Sequence, residues 1–234
     1  MERIQTKSFN LAVYSKGDEN SKRLALVLPG KLDTKDYPHM KNHVDFLAEQ
    51  EFFALSFDPP GTWESPGDIK LYTMTNYLKA IGELIEHFGN KPTLLLGHSR
   101  GGSMAMLGAI MNPCVTHFIA VMSRAGKSAP KKSMKPGDTS ISYRDIPGNP
   151  DEKKKFELPF SYFEDSARYN ILEGLKSCIK PKLFILGKRD ITVKPEEVEI
   201  AYQTAAQPKE LIEIDSDHDY RWYPFLIKEV NRIV

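Results

Sequence analysis

Several things are scarce in this 234-residue chain, and each scarcity excludes something. Its two cysteines, Cys114 and Cys178, are too few for a disulfide framework and lack the spacing of a zinc site, so both are expected to be buried thiols. No apolar run approaches the ~20 residues that cross a bilayer. The opening stretch MERIQTKSFNLAVYSKGDENSKR carries no apolar core of signal-peptide length either, so the expectation is a cytoplasmic protein without membrane insertion. Charge of one sign is also missing: 32 lysines and arginines stand against 31 aspartates and glutamates. No global field therefore exists to draw nucleic acid or an anionic membrane. There is no internal repeat, which excludes a solenoid. What is present, 41% hydrophobic and 27% charged residues, suits one globular domain over 1–234 with a full core.

Six short apolar runs recur, each bounded by Gly, Pro or Asp: RLALVLPG (23–30), FFALSFDPPG (52–61), PTLLLGHS (92–99), THFIAVMS (116–123), PKLFILGKRD (181–190) and KELIEIDSD (209–217). Continuous runs of this kind fit strands buried on both faces of a parallel sheet. Helical spacing lies between them. YPHMKNHVDFLAEQ places Met40, Val44 and Leu47 on one face, and YTMTNYLKAIGELIEHFG repeats apolar residues from Met74 to Ile85 before closing on Gly89. Further helices are expected at 101–111, 195–206 and 220–233. Two more polar, alternating runs near 3–15 read as an edge hairpin. Strand and helix in alternation imply right-handed crossovers and a three-layer α/β fold, a mostly parallel sheet of about eight strands covered by helices on both faces.

One region departs from this rhythm. From Arg124 to about Phe160 the chain is rich in lysine and proline and has almost no periodic apolar face. A connection that long in a compact domain is usually functional or mobile. The expectation is a small cap or lid over a site, inserted before the strand at 181–190, with a solvated excursion as the alternative.

The motif LLLGHSRGG (94–102) sets a serine between glycines where a strand ends and a helix begins. A G-x-S-x-G pattern occurs by chance in about one chain in ten of this length, so its context decides its meaning. At a sharp strand-to-helix turn the residues two before and two after the serine must be small, which Gly97 and Gly101 satisfy, while Gly102 lets the helix approach the sheet. The turn aims the Ser99 hydroxyl out of the carboxyl edge, where parallel sheets bind ligands. A serine nucleophile needs a base, itself held by a third group. His218 follows the last expected strand and Asp190 the strand before it, so both emerge at the same edge. Asp215, Asp217 and Asp219 are competing acids; Asp217 and Asp219 are disfavoured because immediate neighbours in extended chain point away from the His218 ring, and Asp215 is a strand-end residue.

With GHSRGG similar to a nucleophile elbow, GKRDITVKP to an acid loop and DSDHD to a histidine loop, the chain resembles the α/β-hydrolase superfamily over nearly its whole length, most closely the small serine esterases and acyl hydrolases. The resemblance implies Ser99 as nucleophile, His218 as general base and then acid, and Asp190 as its orienter. It implies an oxyanion hole made by backbone N–H groups of Arg100 and Lys31, with Leu32 as runner-up. The family usually has His-Gly after the first long strand, and this chain has Pro29-Gly30. FDPPGTWESPGD (57–68) resembles a further loop of the family, in which Asp58 braces the loops near the elbow; Trp63 is expected to line the acyl or alcohol pocket, with simple packing as the equal alternative.

The remaining histidines receive plainer readings. His98 is expected to be structural, pointing to the opposite side of the turn from the site, and His39, His43, His87 and His117 show no partner pattern. No metal site and no cofactor is expected. The function expected is a serine hydrolase that cleaves carboxylic esters of small, soluble acyl substrates through an acyl-enzyme. An amidase, peptidase, thioesterase or acyltransferase would use the same three residues, and a non-catalytic binding protein on this fold is the remaining alternative.

Overall fold

A computed structural model describes residues 2–126 and 134–233. The chain opens with β1 (Glu2–Gln5), β2 (Asn10–Lys16), β3 (Leu24–Leu28), α1 (Pro38–Glu49), β4 (Phe53–Phe57) and α2 (Met74–His87). It continues through β5 (Thr93–His98), α3 (Arg100–Met111) and β6 (Val115–Val121). After the hairpin β7 (Thr139–Ile146) and β8 (Asn149–Pro159) come α4 (Phe160–Ala167), α5 (Ile171–Leu175), β9 (Lys182–Gly187), α6 (Pro195–Thr204), β10 (Lys209–Ile214) and α7 (Pro224–Ile233). Eight strands form one sheet in the order β1-β2-β4-β3-β5-β6-β9-β10. β2 pairs antiparallel with β1 and with β4, and every other pair is parallel.

All six apolar runs became strands of this sheet, and the alternating N-terminal runs became its antiparallel edge. β3 shows why such runs carry no alternation. Leu24, Leu26 and Leu28 face a cluster with α2 and α3, while Ala25 and Val27 face a second cluster with α1 and α7. Met40, Val44 and Leu47 of α1 are buried together, as the spacing predicts. Thr73 caps α2 by accepting a hydrogen bond from the Asn76 N–H, and Gly89 follows the helix at φ 77°. The last helix is shorter than the 220–233 expected. Tyr220–Trp222 form a separate 3-10 turn, and α7 begins at Pro224, whose fixed φ suits a first helical position. Cys178 is buried as expected, whereas Cys114 is only half-buried.

The 124–160 segment departs further from its sequence reading; residues 127–133 of it lie outside the described residues. The rest is mostly the β7–β8 hairpin, a separate two-stranded antiparallel sheet. Asp151, Glu152, Lys153 and Lys155 are exposed, but Lys154 folds over the Trp63 ring and Phe156 and Leu158 alternate into the main core. Polar contacts fasten the other strand: the Tyr37 hydroxyl donates to the Asp145 carbonyl at 2.9 Å, and Arg221 pairs with the Asp145 carboxylate at 2.9 Å. The absence of an apolar face was thus overstated at Phe156 and Leu158, and α4 and α5 were not foreseen.

The two-sided burial of β3 yields a direct expectation. Leu26 is fully buried, so Leu26→Ala removes about 2–5 kcal/mol of stability through lost apolar transfer and a residual cavity. Urea denaturation of the purified variant measures this, and a loss below about 1 kcal/mol would contradict the packing described.

Candidate active site

The site forms where the carboxyl ends of β3, β5, β9 and β10 meet. Between β5 and α3 the backbone of Ser99 takes φ 53° and ψ −118°, a conformation that costs a non-glycine residue about 1–3 kcal/mol. Close backbone approach keeps it there. A Cβ on Gly97 would lie 2.2 Å from the Gly101 carbonyl, and one on Gly101 would lie 1.9 Å from the Leu28 carbonyl oxygen. The Ser99 N–H donates to Val121 O at 2.9 Å, tying the turn to the neighbouring strand.

The structure brings Ser99, His218 and Asp190 together. His218 Nδ1 lies 2.7 Å from Asp190 Oδ2, and His218 Nε2 lies 2.9 Å from Ser99 Oγ. A carboxylate only accepts, so Nδ1 carries the proton and Nε2 presents its lone pair to the Ser99 hydroxyl. The other carboxylate oxygen of Asp190 accepts from the Thr192 and Val193 N–H groups, both at 2.8 Å. Burial opposes ionisation of Asp190, but the hydrogen bond from His218 and these amides outweigh it and hold the carboxyl below the usual carboxylate range. The competing acids turn elsewhere: Asp215 pairs with Arg189, Asp217 accepts from the Asp219 N–H, and Asp219 lies 3.5 Å from Arg221.

The loop after β3 is held by its carbonyls. Tyr77 donates to Pro29 O at 3.1 Å, Arg144 donates twice to Lys31 O at 2.6 and 3.0 Å, and the Trp63 indole donates to Leu32 O at 2.8 Å. The Leu32 N–H donates to the Tyr72 hydroxyl at 3.0 Å, which engages the amide of the runner-up oxyanion donor. Arg100 occupies the first position of α3, where a backbone N–H has no acceptor within the helix. Asp58 braces the next loop, accepting from Thr34 Oγ1 and the Lys35 and Glu64 N–H groups. Trp63, expected in the pocket, stands behind this loop, edge-on to Tyr37 and Phe156. Its backbone takes a positive φ of 44°.

The histidines correct the sequence reading most. His98 does not face away from the site: its ring centroid lies 4.8 Å from that of His218, and its Nε2–H donates to the His218 carbonyl at 3.0 Å. Its Nδ1 faces Asp33 Oδ2 at 3.8 Å, and Asp33 pairs with Arg144 at 3.3 Å. His39 packs edge-on against His98 and His43. His43 donates from Nδ1 to Asn231 and accepts from the Tyr220 hydroxyl, so both nitrogens are satisfied in the neutral ring. Asp33, His39 and His98 hold ligand-type atoms within 4.8 Å of one another. Burial of Asp33 opposes its charge, but His98 and Arg144 keep its carboxyl well below the ordinary range. Sequence reading missed this cluster because its members come from 33, 39, 43 and 98, with no shared spacing.

Ser99, His98, Arg100 and His218 line a cavity of about 470 Å³ that also receives Arg144 from β7 and Tyr162 from α4. The size suits a small ligand, for which ~300–1,000 Å³ is common. Residues 26–145 match the sequence profile of the alpha/beta hydrolase fold, and the chain belongs to that family. Its mostly parallel eight-stranded sheet flanked by helices is that fold. Est1E from Butyrivibrio proteoclasticus with ferulic acid bound is similar in structure at TM-score 0.82 and 17% identity, covering 100% of this chain and 96% of that one. A monoacylglycerol lipase from Paleococcus ferrophilus is similar at TM-score 0.76 and 20% identity, covering 95% and 96%. The alpha/beta hydrolase domain-containing protein 10 from mouse is similar at TM-score 0.76 and 18% identity, covering 99% and 97%. No curated protein matches the sequence significantly. Among the described residues no helix is long and apolar enough to cross a membrane.

Burial lowers the tendency of His39, His43 and His98 to accept a proton, in His43 to about 4 from an ordinary 6.5. Below pH 6.5 the unfolded chain takes up protons that the folded chain refuses, so stability falls as pH drops from 6.5 toward 4. Asp58, raised by burial, acts in the opposite sense as one group against four, since burial lowers His117 as well. Carboxylates held low, such as Asp33, contribute only below about pH 4. His43 alone should cost about 2 kcal/mol at about pH 5. Urea midpoints at about pH 7.5 and about pH 5 test this, and an equal or higher midpoint at the acid value would contradict it.

Proposed function

We propose that this protein is a serine hydrolase that cleaves carboxylic esters of small acyl substrates through an acyl-enzyme. The observation that carries the reading is the hydrogen-bonded line from Asp190 through His218 to Ser99, at 2.7 and 2.9 Å, at the mouth of a cavity. In that arrangement the Ser99 oxygen attacks the ester carbonyl while His218 Nε2 accepts its proton, and ionised Asp190 stabilises the imidazolium. We assign the amides of Arg100 and Lys31 to the oxyanion, where each donor is worth roughly 3–4 kcal/mol. The engagement of the Leu32 amide by Tyr72 and the fixing of Lys31 O by Arg144 support Lys31 over Leu32. His218 then returns the proton to the departing alkoxide, leaving the acyl group on Ser99. Water, deprotonated by His218, attacks this ester, and the carboxylic acid leaves as Ser99 regains its proton.

We read the 124–160 segment as a small cap, which is supported by Arg124 and Arg144 within it and Tyr162 just after it lining the cavity. A cytoplasmic location belongs to the same reading and is supported by both cysteines being free thiols. Hydrogen-bonded alignment of three side chains over 28 and 119 residues of separation also favours catalysis over a binding role on an idle fold.

Steady-state kinetics on one p-nitrophenyl ester test the assignments. Ser99→Ala should abolish turnover. Asp190→Asn should lower kcat at least about a hundredfold with little change in KM, whereas Asp217→Asn should cost less than about tenfold. Turnover in Ser99→Ala at the wild-type rate would overturn the nucleophile, and the reverse order of the two aspartates would move the orienting role to Asp217.

A further inference from the structure

The wall of the cavity carries a concentration of positive charge that the chain as a whole lacks. Net charge is +1 over 234 residues, yet among the described residues Lys31, Arg100, Arg124, Arg144 and Arg221 line the cavity against two carboxylates, Asp33 and Asp219. Three of these cations have protein partners that explain them. Arg144 bonds Asp33 and Lys31 O, Arg221 bonds Asp145, and Arg124 bonds Glu197 and Thr192 O.

Arg100 differs. Its guanidinium is half-buried and meets a thioether, Met74 Sδ at 2.8 Å, and a hydroxyl, Ser166 Oγ at 3.4 Å, with the Tyr162 ring at 5.5 Å. Among the described residues no carboxylate pairs with it. Neither a thioether nor a hydroxyl compensates a charge withdrawn from water, and the fork of a guanidinium fits a carboxylate with two parallel hydrogen bonds. A second observation lies beside it. The Tyr162 hydroxyl is buried between the Arg100 guanidinium and the Tyr72 side chain without a well-formed hydrogen bond to either, and its ring lines the same cavity. Lys31 Nζ adds charge at this corner, 5.9 and 5.8 Å from the Tyr162 and Phe163 ring centroids. Among the described residues apolar lining is limited to Phe163 and Val193 besides the Tyr162 ring, too little to bury a long alkyl chain.

Resting on the hydrolase reading above, we propose that the substrate is a short acyl ester bearing a second, anionic group, and that the Arg100 side chain holds this group as a carboxylate. The anion supplies the partner that the fold withholds from Arg100, and the polar wall accepts the short chain between the carboxylate and the ester. The reacting carbonyl lies at Ser99, so the same residue that gives its amide to the oxyanion uses its side chain to select the acyl group. Hydrolysis of such a half ester releases a dicarboxylate and an alcohol, with Ser99 and His218 unchanged at the end.

The test is a matched pair of substrates followed by acid release: monomethyl glutarate against methyl butyrate. The wild-type enzyme should prefer the charged ester in kcat/KM by at least about tenfold, as expected for one charge-assisted contact. Raising salt to about 1 M, where the screening length is ~3 Å, should shrink that preference. Arg100→Gln should lower the ratio of charged to neutral kcat/KM at least about tenfold, chiefly through KM for the charged ester, and Arg100→Lys should restore part of it. Hydrolysis of both esters with a ratio near one, or a ratio unchanged in Arg100→Gln, overturns the anion site and leaves the hydrolase reading in place. If neither ester turns over, calorimetry of glutarate on the wild-type protein decides the site independently of catalysis. Binding that weakens at least about tenfold in Arg100→Gln sustains it, and absence of binding overturns it.

Discussion

The strained backbone at Ser99 is the constraint on which the rest of the site depends. A serine at φ 53° and ψ −118° projects its hydroxyl from the sheet edge only because Gly97 and Gly101 let three segments of main chain come within a Cβ radius of one another. The same close approach presses the start of α3 against the end of β3, since the atom nearest a Cβ on Gly101 is the Leu28 carbonyl oxygen. The loop that follows Leu28 and the first amide of α3 are thereby set side by side. Strain of this kind persists where the surroundings over-determine it, and here a buried eight-stranded sheet and two apolar clusters supply the surroundings.

Around that elbow the polar groups form a continuous support rather than separate pairs. Asp190 holds the inner nitrogen of the His218 ring, while His98 holds the backbone of the same residue through its carbonyl. His98 in turn faces Asp33, which faces Arg144, which fixes Lys31 O. The β7–β8 hairpin therefore bears on the loop beneath the cavity through one arginine, and Asp145 beside it is held by Arg221 and Tyr37. A change at the hairpin has a short physical route to the geometry at Ser99.

Much of this was legible in the sequence. Ser99, Asp190 and His218 stood out because each immediately follows an apolar run, and the ends of parallel strands gather at one edge whatever the details of the helices. The strands themselves were legible because burial on both faces removes polar residues from them, as in LALVL of β3. The hairpin was not, because what fixes it is remote in sequence: Tyr37 reaches Asp145 across 108 residues and Arg144 reaches Lys31 across 113. Its outward lysines read as solvated chain, and the two inward residues, Phe156 and Leu158, are too few to declare a strand. Trp63 misled for a related reason, since a loop tryptophan shows its size but not that its indole N–H is bound to Leu32 O. His98 misled because its role depends on Asp33 and on the His218 backbone, neither of which any local pattern connects to it.

The proposed chemistry turns on the Ser99 hydroxyl, activated by His218, as the attacking atom. Reaction with a fluorophosphonate, which phosphonylates an activated serine without needing the natural substrate, followed by peptide mass mapping, measures this directly. A single adduct is expected on the peptide containing Ser99, lost when His218 is replaced by alanine. An adduct on another serine, or complete resistance of the folded protein to the reagent, would contradict it.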